Sequence, residues 1–91
     1  MMVAPERPVA PDGEVIRALV VDAARLHGVP VAEIMGHNKA PRVVRARQAV
    51  MAEAHLRGLS TPRIGAVLRR DHSTVLYGIR RALDRGDVVA G

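Results

Sequence analysis

The chain has 91 residues, no cysteine and a formal net charge of +5, and 48% of its residues are hydrophobic. This length predicts one domain, and the lack of cysteine excludes disulfides and thiolate metal sites and favours a reducing compartment. The positive charge favours a polyanionic partner, nucleic acid before an anionic membrane. No apolar run reaches the roughly 18–20 residues of a membrane span, and the N-terminus lacks an apolar signal core. We therefore expect a cytoplasmic protein with no membrane partner.

Both ends of the chain lack helical periodicity. Residues 1–12 contain Pro5, Pro8 and Pro11, which predicts a flexible N-terminal tail. Residues 87–91 predict a short flexible C-terminal tail. The sequence between them, residues 13–86, predicts one domain.

The first half of this domain predicts two helices. From Gly13 to His27 the apolar residues recur on one helical face. The residues expected to be buried there are Ile16, Leu19, Val20, Ala23 and Leu26. Gly28 ends this helix, and Pro30 soon follows. Residues 31–35, VAEIM, suit a short second helix closed by Gly36, and residues 37–41 indicate a loop.

A third helix is predicted from Val43 to Arg57, ended by Gly58. Its apolar residues repeat at steps of three and four: Val43, Ala46, Val50 and Ala54. Arginines at positions 42, 45 and 47 lie near its N-terminus, where their charge opposes the helix dipole. This placement indicates a bound anion nearby.

The last part of the domain predicts two helices joined by a turn. Ser60, Thr61 and Pro62 indicate an N-cap followed by proline in the first turn of a helix that ends near Leu68. A final helix is predicted from Asp71 to Arg85, capped by Asp71 or Ser73. The residues expected to be buried in these helices are Ile64, Val67, Leu68, Val75, Leu76, Ile79 and Leu83. Since no strand alternation persists, we expect an all-α domain of five helices, with residues 71–85 as the recognition helix of a helix-turn-helix.

Asp71, His72, Ser73 and Thr74 stand side by side at the start of this recognition helix. Consecutive residues diverge by about 100° around a helix and cannot form a nucleophile–base–orienter relay. The four histidines, residues 27, 37, 55 and 72, show no metal-ligand spacing. We therefore expect no enzyme activity, no metal, no cofactor and no small-molecule substrate.

Reading of DNA bases is the favoured interpretation of the same four residues. An Asp can accept from cytosine N4, a His can donate to purine N7, and Ser or Thr can contact several base edges. Arg80 and Arg81, farther along the helix, suit phosphates. For Asp71 alone, capping of the helix remains an equal alternative.

Two segments resemble a known bacterial family. RRDHSTVLYGIRRAL, residues 69–83, resembles the signature GRDHTTVLHAxRKI of the C-terminal DNA-binding domain of DnaA, the replication initiator. Residues 43–68 resemble that domain's ARPRQ segment and the SLPEIG helix that follows it. The resemblance covers residues 14–84 and implies a DnaA C-terminal-domain-like (Trp-repressor-like) helix-turn-helix fold, here as a free-standing small protein.

The resemblance also implies which residues contact DNA, with Arg45 in the minor groove and residues 71–74 in the major groove. Together with the basic pattern it predicts base contacts from Arg45, Thr61, Pro62, Arg70, Asp71, His72, Ser73 and Thr74. The predicted contacts to the DNA backbone are Lys39, Arg42, Arg47, Gln48, Ser60, Arg69, Tyr77, Arg80 and Arg81.

The sequence departs from the family at three places. The family's basic loop is reduced to Lys39, Thr61 replaces Leu, and Leu68-Arg69 replaces a Gly-Gly pair. We therefore expect the preferred DNA sequence to differ from the initiator's box.

The predicted function is that of a sequence-specific double-stranded DNA-binding protein, associated with the nucleoid. Because no Walker motif is present, we expect regulation of transcription and not ATP-driven origin opening. The resemblance to small DnaA-like activators implies a more specific role, activation of a phage-like or gene transfer agent cluster. RNA polymerase or another DNA-binding protein is the expected protein partner. Two alternatives stay open: a replication-linked protein that competes for DnaA boxes, and a protein-binding adaptor.

Overall fold

The computed structural model describes residues 12–87. Within them the chain forms five α-helices: α1 (Asp12–His27), α2 (Val31–Met35), α3 (Pro41–Leu56), α4 (Thr61–Leu68) and α5 (His72–Arg85). The predicted all-α class is confirmed. Asp12, which we assigned to the N-terminal tail, is instead the first residue of α1; the rest of that tail and residues 88–91 lie outside the described residues. No helix in residues 12–87 is long and apolar enough to cross a membrane.

The central element is α3, which contacts each of the other four helices and packs most extensively on α5 and α1. Small residues allow this close packing, because Ala46, Ala49, Ala52 and Ala54 are all fully buried. The largest fully buried side chains are aliphatic and come from all five helices: Ile16, Val20, Ile34, Val50, Met51, Ile64, Leu68 and Val75. The core therefore forms without an aromatic side chain.

Three apolar residues predicted to be buried lie at the surface. Leu26 is 63% exposed, and Leu76 and Leu83 are each 43% exposed. Helical periodicity marks the apolar face but not its width. The buried stripe of α5 is narrow, comprising Val75, Gly78, Ile79 and Ala82, and Leu76 and Leu83 flank it.

The recognition helix α5 sits directly against α3 at Gly78. A Cβ atom at Gly78 would lie 2.4 Å from Met51 Sδ and 3.3 Å from Gln48 Cγ. Glycine in the middle of a helix weakens that helix by about 1 kcal/mol relative to alanine. The close approach of α3 explains why glycine nevertheless occupies this position.

A second close approach fixes the turn between α4 and α5. The backbone N–H of Arg70 donates to the carbonyl of Gly65 at 2.9 Å, and a Cβ at Gly65 would lie 2.5 Å from the carbonyl oxygen of Arg70. The turn therefore folds back onto α4 at the one residue without a side chain.

We expect Gly65→Ala to lower the free energy of unfolding by about 1–3 kcal/mol, the usual cost of overpacking, although alanine favours the helix. Urea denaturation of both proteins measures the difference. Gly13→Ala, in the first turn of α1, is the matched control, because the added methyl would meet only the movable end of Arg17. Equal stability of the two variants would contradict the close approach at Gly65.

Candidate nucleic-acid interface

The first turn of α5 is capped by Asp71. One carboxylate oxygen of Asp71, Oδ1, accepts a hydrogen bond from the backbone N–H of Thr74 at 2.9 Å. Two hydrogen bonds from Thr74 lower the pKa of the Asp71 carboxyl because they stabilise its charged form. The bond from the Thr74 side chain has the larger effect and the bond from its backbone N–H the smaller. Of the two alternatives left open by the sequence, the structure shows the cap. A base contact from the same side chain would use Oδ2.

The three residues that follow the cap are exposed. His72, Ser73 and Thr74 occupy the first turn of α5, and they diverge around the helix axis because each residue advances about 100°. Short polar side chains are therefore presented at the end of the helix, where they can approach the base edges of a major groove.

The start of α4 has a similar construction. The Ser60 hydroxyl accepts from the backbone N–H of Arg63 at 3.4 Å, and Thr61 and Pro62 form the first turn. Pro62 is exposed and Thr61 is half-buried. The cap predicted at Ser60 is confirmed.

The turn between α4 and α5 contains Arg69 in the left-handed conformation, with φ of 58°. It is the one positive-φ residue other than glycine within residues 12–87. A side chain at such a position costs roughly 1–2 kcal/mol. Glycine is the residue that adopts this conformation without steric cost.

Arg70 lies half-buried, with its guanidinium turned toward the protein. It donates to the carbonyls of Leu68 at 2.7 Å and Arg69 at 3.2 Å, and also to the carbonyl of Gly36. Burial lowers the pKa of this guanidinium. Arg70, predicted to contact bases, thus joins the helix-turn-helix to the loop between α2 and α3.

Arg47 also lies inside the domain, at 6% exposure. Its Nε donates to the carbonyl of Ile34 at 2.7 Å, and its Nη2 donates to the carbonyls of Glu33, Gly36 and Asn38 at 2.8–3.1 Å. Burial, and then the charge of Arg70, lower the pKa of this guanidinium. The expected contact of Arg47 with the DNA backbone is therefore replaced by a structural role: it holds the loop that carries Lys39.

Gln48 is likewise buried, at 9% exposure, and its Oε1 accepts from Arg85 Nη2 at 2.9 Å. Gln48 was predicted to contact the DNA backbone, but its side-chain oxygen is directed to Arg85. The side chain instead links α3 to the last turn of α5.

Arg45 is at the surface and forms a two-point ion pair with Asp87. Its Nε lies 2.6 Å from Oδ2 and its Nη2 lies 3.0 Å from Oδ1. Arg85 Nε donates to Oδ2 of the same carboxylate at 2.8 Å. Hydrogen bonding from Arg45 is the largest of the effects that hold the pKa of Asp87 well below its usual range.

These elements enclose a groove that follows α5. Two adjoining cavities share Lys39, Val44, Gln48 and Tyr77; one extends to Arg81 and Arg85, and the other to His37, Arg70 and Thr74. We call their combined surface the basic groove. Thr74, Tyr77 and Arg81 line it at helical spacings of three and four residues.

The basic groove brings together eight predicted contact residues: Lys39, Arg45, Arg47, Gln48, Arg70, Thr74, Tyr77 and Arg81. The other predicted residues lie outside its lining: Arg42, Ser60, Thr61, Pro62, Arg69, Asp71, His72, Ser73 and Arg80. Arg85 lines the groove and was missed. Its position four residues after Arg81 on the same helical face is the signal that identifies it.

Within residues 12–87, no group of three His, Asp or Glu side chains could hold a metal ion.

A family model described as the bacterial dnaA protein helix-turn-helix matches residues 16–82, which include all of α2, α3 and α4. No curated protein and no solved structure matches the chain significantly. The family match supports DNA binding through a domain of a non-catalytic type.

We expect Arg69→Gly to raise the free energy of unfolding by about 1 kcal/mol, because glycine adopts a positive φ without steric cost. Arg69→Ala is the control: it removes the same charge but keeps a Cβ in the left-handed conformation. Thermal or urea unfolding of the three proteins measures the effect. If both variants were stabilised equally, the charge and not the backbone would be responsible.

Proposed function

Because the chain belongs to the bacterial DnaA helix-turn-helix family, we propose that it binds double-stranded DNA sequence-specifically and regulates transcription. The observation that carries the proposal is the capped first turn of α5, which presents His72, Ser73 and Thr74 next to the basic groove. A recognition helix with this form enters the major groove with its N-terminal residues toward the bases.

In the proposed complex the base edges meet short polar side chains. His72 donates to a purine N7, Ser73 and Thr74 contact neighbouring bases, and Asp71 uses Oδ2 to accept from cytosine N4 while Oδ1 keeps the cap. Thr61 and Pro62, at the start of α4, meet thymine methyl groups. Arg70 supports this surface from behind through its bond to Gly36.

The DNA backbone is held by side chains around this surface. Tyr77 is 60% exposed and lies between Thr74 and Arg81 on the groove face of α5. Arg45 reaches the minor groove beside the recognised major groove. The proposed phosphate contacts are Lys39, Arg42, Ser60, Arg69, Tyr77, Arg80 and Arg81. Arg47 and Gln48 also line the groove, but they are left out of the proposed contacts because both side chains are buried and hydrogen-bonded within the domain.

Regulation of transcription is the finer part of the proposal. A small protein that occupies a promoter can exclude RNA polymerase or recruit it, alone or with another DNA-binding protein. Activation of a phage-like or gene transfer agent cluster is one specific form of this function. Such a protein acts in the cytoplasm, associated with the nucleoid.

A replication-linked function is the second candidate, and the signature at residues 69–83 favours it. If the first turn of α5 reads the same bases as the initiator, the chain competes for DnaA boxes. This function predicts binding near a replication origin and not upstream of operons.

The deciding experiment is a selection of fragmented genomic DNA from the bacterium that encodes the chain, on immobilised protein at two salt concentrations. Enrichment of a shared motif upstream of operons supports transcriptional regulation. Enrichment at the origin supports competition with the initiator. Absence of any motif at both salt concentrations contradicts sequence-specific binding and leaves a protein-binding adaptor.

We expect His72→Ala to weaken binding to the selected duplex by about 1–3 kcal/mol while it changes binding to mixed-sequence DNA little, because a base contact discriminates between sequences. Fluorescence anisotropy titrations on both duplexes measure the difference. His55→Ala is the control, since His55 is exposed on α3 outside the proposed interface. Equal loss on both duplexes would show that His72 does not read bases.

We expect Arg81→Ala to weaken binding to all duplexes alike and to reduce the slope of log affinity against log salt by about one, the effect of losing one phosphate contact. Titrations at several salt concentrations give this slope. Arg17→Ala, on the exposed side of α1, removes the same charge elsewhere. A slope that falls equally in both variants would assign the effect to net charge.

A further inference from the structure

Asp87 holds a position that the DNA-binding role of its neighbours does not explain. Its carboxylate is bound by two arginines from different elements, Arg45 of α3 and Arg85 of α5. Both arginines line the basic groove, together with Lys39 and Arg81. A negative group thus lies among the cations of the surface proposed to bind a polyanion.

The pairing geometry is the one that arginine uses for anions in general. Arg45 presents Nε and Nη2 to the two carboxylate oxygens at 2.6 and 3.0 Å, the planar two-point arrangement that also suits phosphate. Arg85 adds a third hydrogen bond. The two guanidinium groups therefore form a complete anion site, and a carboxylate of the same chain occupies it.

The end of α5 fixes Asp87 at this place. Gly86 has φ of 75°, its N–H donates to the carbonyl of Leu83, and the N–H of Asp87 donates to the carbonyl of Ala82. This is the Schellman arrangement that closes many helices. The backbone of Asp87 is anchored, so its carboxylate can leave the arginines by rotation of its side chain alone.

Exposure of the partners makes such an exchange feasible. The side chain of Arg45 is 54% exposed, whereas that of Asp87 is 13% exposed. DNA can therefore approach Arg45 from solvent while Asp87 stays behind it. The pair is therefore open to competition on its arginine side, where a DNA phosphate or groove edge can replace the carboxylate at Arg45.

We propose that Arg45 and Arg85 form an anion site which Asp87 fills in the unbound protein, and that DNA must displace Asp87 to bind. Arg45 then turns to the minor groove and Arg85 meets the adjoining phosphate. Asp87 thereby lowers the affinity of the domain for DNA. This inference rests on the proposed DNA-binding function and adds to it a residue that opposes binding.

The test compares Asp87→Asn with Asp84→Asn. Both variants remove one negative charge near the end of α5, but Asp84 is exposed on the helix and does not appear in the ion pairs of Arg45 and Arg85. Affinity is measured by anisotropy on the selected duplex and on a mixed-sequence duplex, each at several salt concentrations. We expect Asp87→Asn to bind at least about fivefold more tightly, because a two-point arginine–carboxylate pair lies at or above the upper end of the range for surface ion pairs, with a salt slope steeper by about one.

A double-mutant comparison locates the effect. In the Arg45→Ala background, Asp87→Asn should give a smaller gain than in the wild type, because the competed guanidinium is already absent. An unchanged gain would overturn the assignment to Arg45.

The remaining outcomes are also decisive. Equal gains from Asp87→Asn and Asp84→Asn would show an effect of net charge and overturn the proposal. Unchanged or weaker binding by Asp87→Asn, with wild-type binding intact, would overturn the displacement of Asp87 but not the proposed DNA binding. It would indicate that the ion pair orients Arg45 for DNA. If neither the wild type nor Asp87→Asn binds either duplex, the proposed function fails as well.

Discussion

The carbonyl oxygen of Gly36 accepts hydrogen bonds from two arginines, Arg47 of α3 and Arg70 of the turn before α5. Arg47 also binds three other carbonyls at the end of α2 and in the following loop. A buried carbonyl that lost its arginine donor would cost about 1–3 kcal/mol. Because movement of the loop between α2 and α3 would break these hydrogen bonds, they hold the loop in one position. Since both arginines converge on one atom, the loop that carries Lys39 and the turn that directs α5 are positioned relative to each other.

Two glycines complete this arrangement by allowing backbone and side chains to approach. At Gly78 the recognition helix lies against Met51 and Gln48, and at Gly65 the turn lies against α4. Interiors are close-packed, so a methyl group at either place must move its neighbours. The recognition helix is therefore seated from two sides, and its exposed first turn is presented by a rigid support.

The distribution of charge on the surface differs from what the net charge of +5 suggests. Arg47 and Arg70 bind carbonyl oxygens within the domain, and Asp87 pairs with Arg45 and Arg85. The cations that face solvent in the basic groove are fewer than the composition implies. Affinity for a polyanion depends on the charges that can reach it, and so the electrostatic contribution of this domain is set by its internal pairs as well as by its composition.

The five helices, the cap at Ser60 and the helix-turn-helix pattern could be predicted from the sequence, because helices and caps depend on interactions between residues at most four positions apart. The cap at Asp71 was one of two alternatives until the structure showed its hydrogen bond to Thr74. The resemblance to the DnaA signature added the family. Tertiary structure alone decided that Arg47 and Gln48 are buried, that Leu26, Leu76 and Leu83 are exposed, and that Asp87 meets Arg45 across 42 positions of sequence. Each of these outcomes depends on which element packs opposite a residue, and helical periodicity carries no information about that partner.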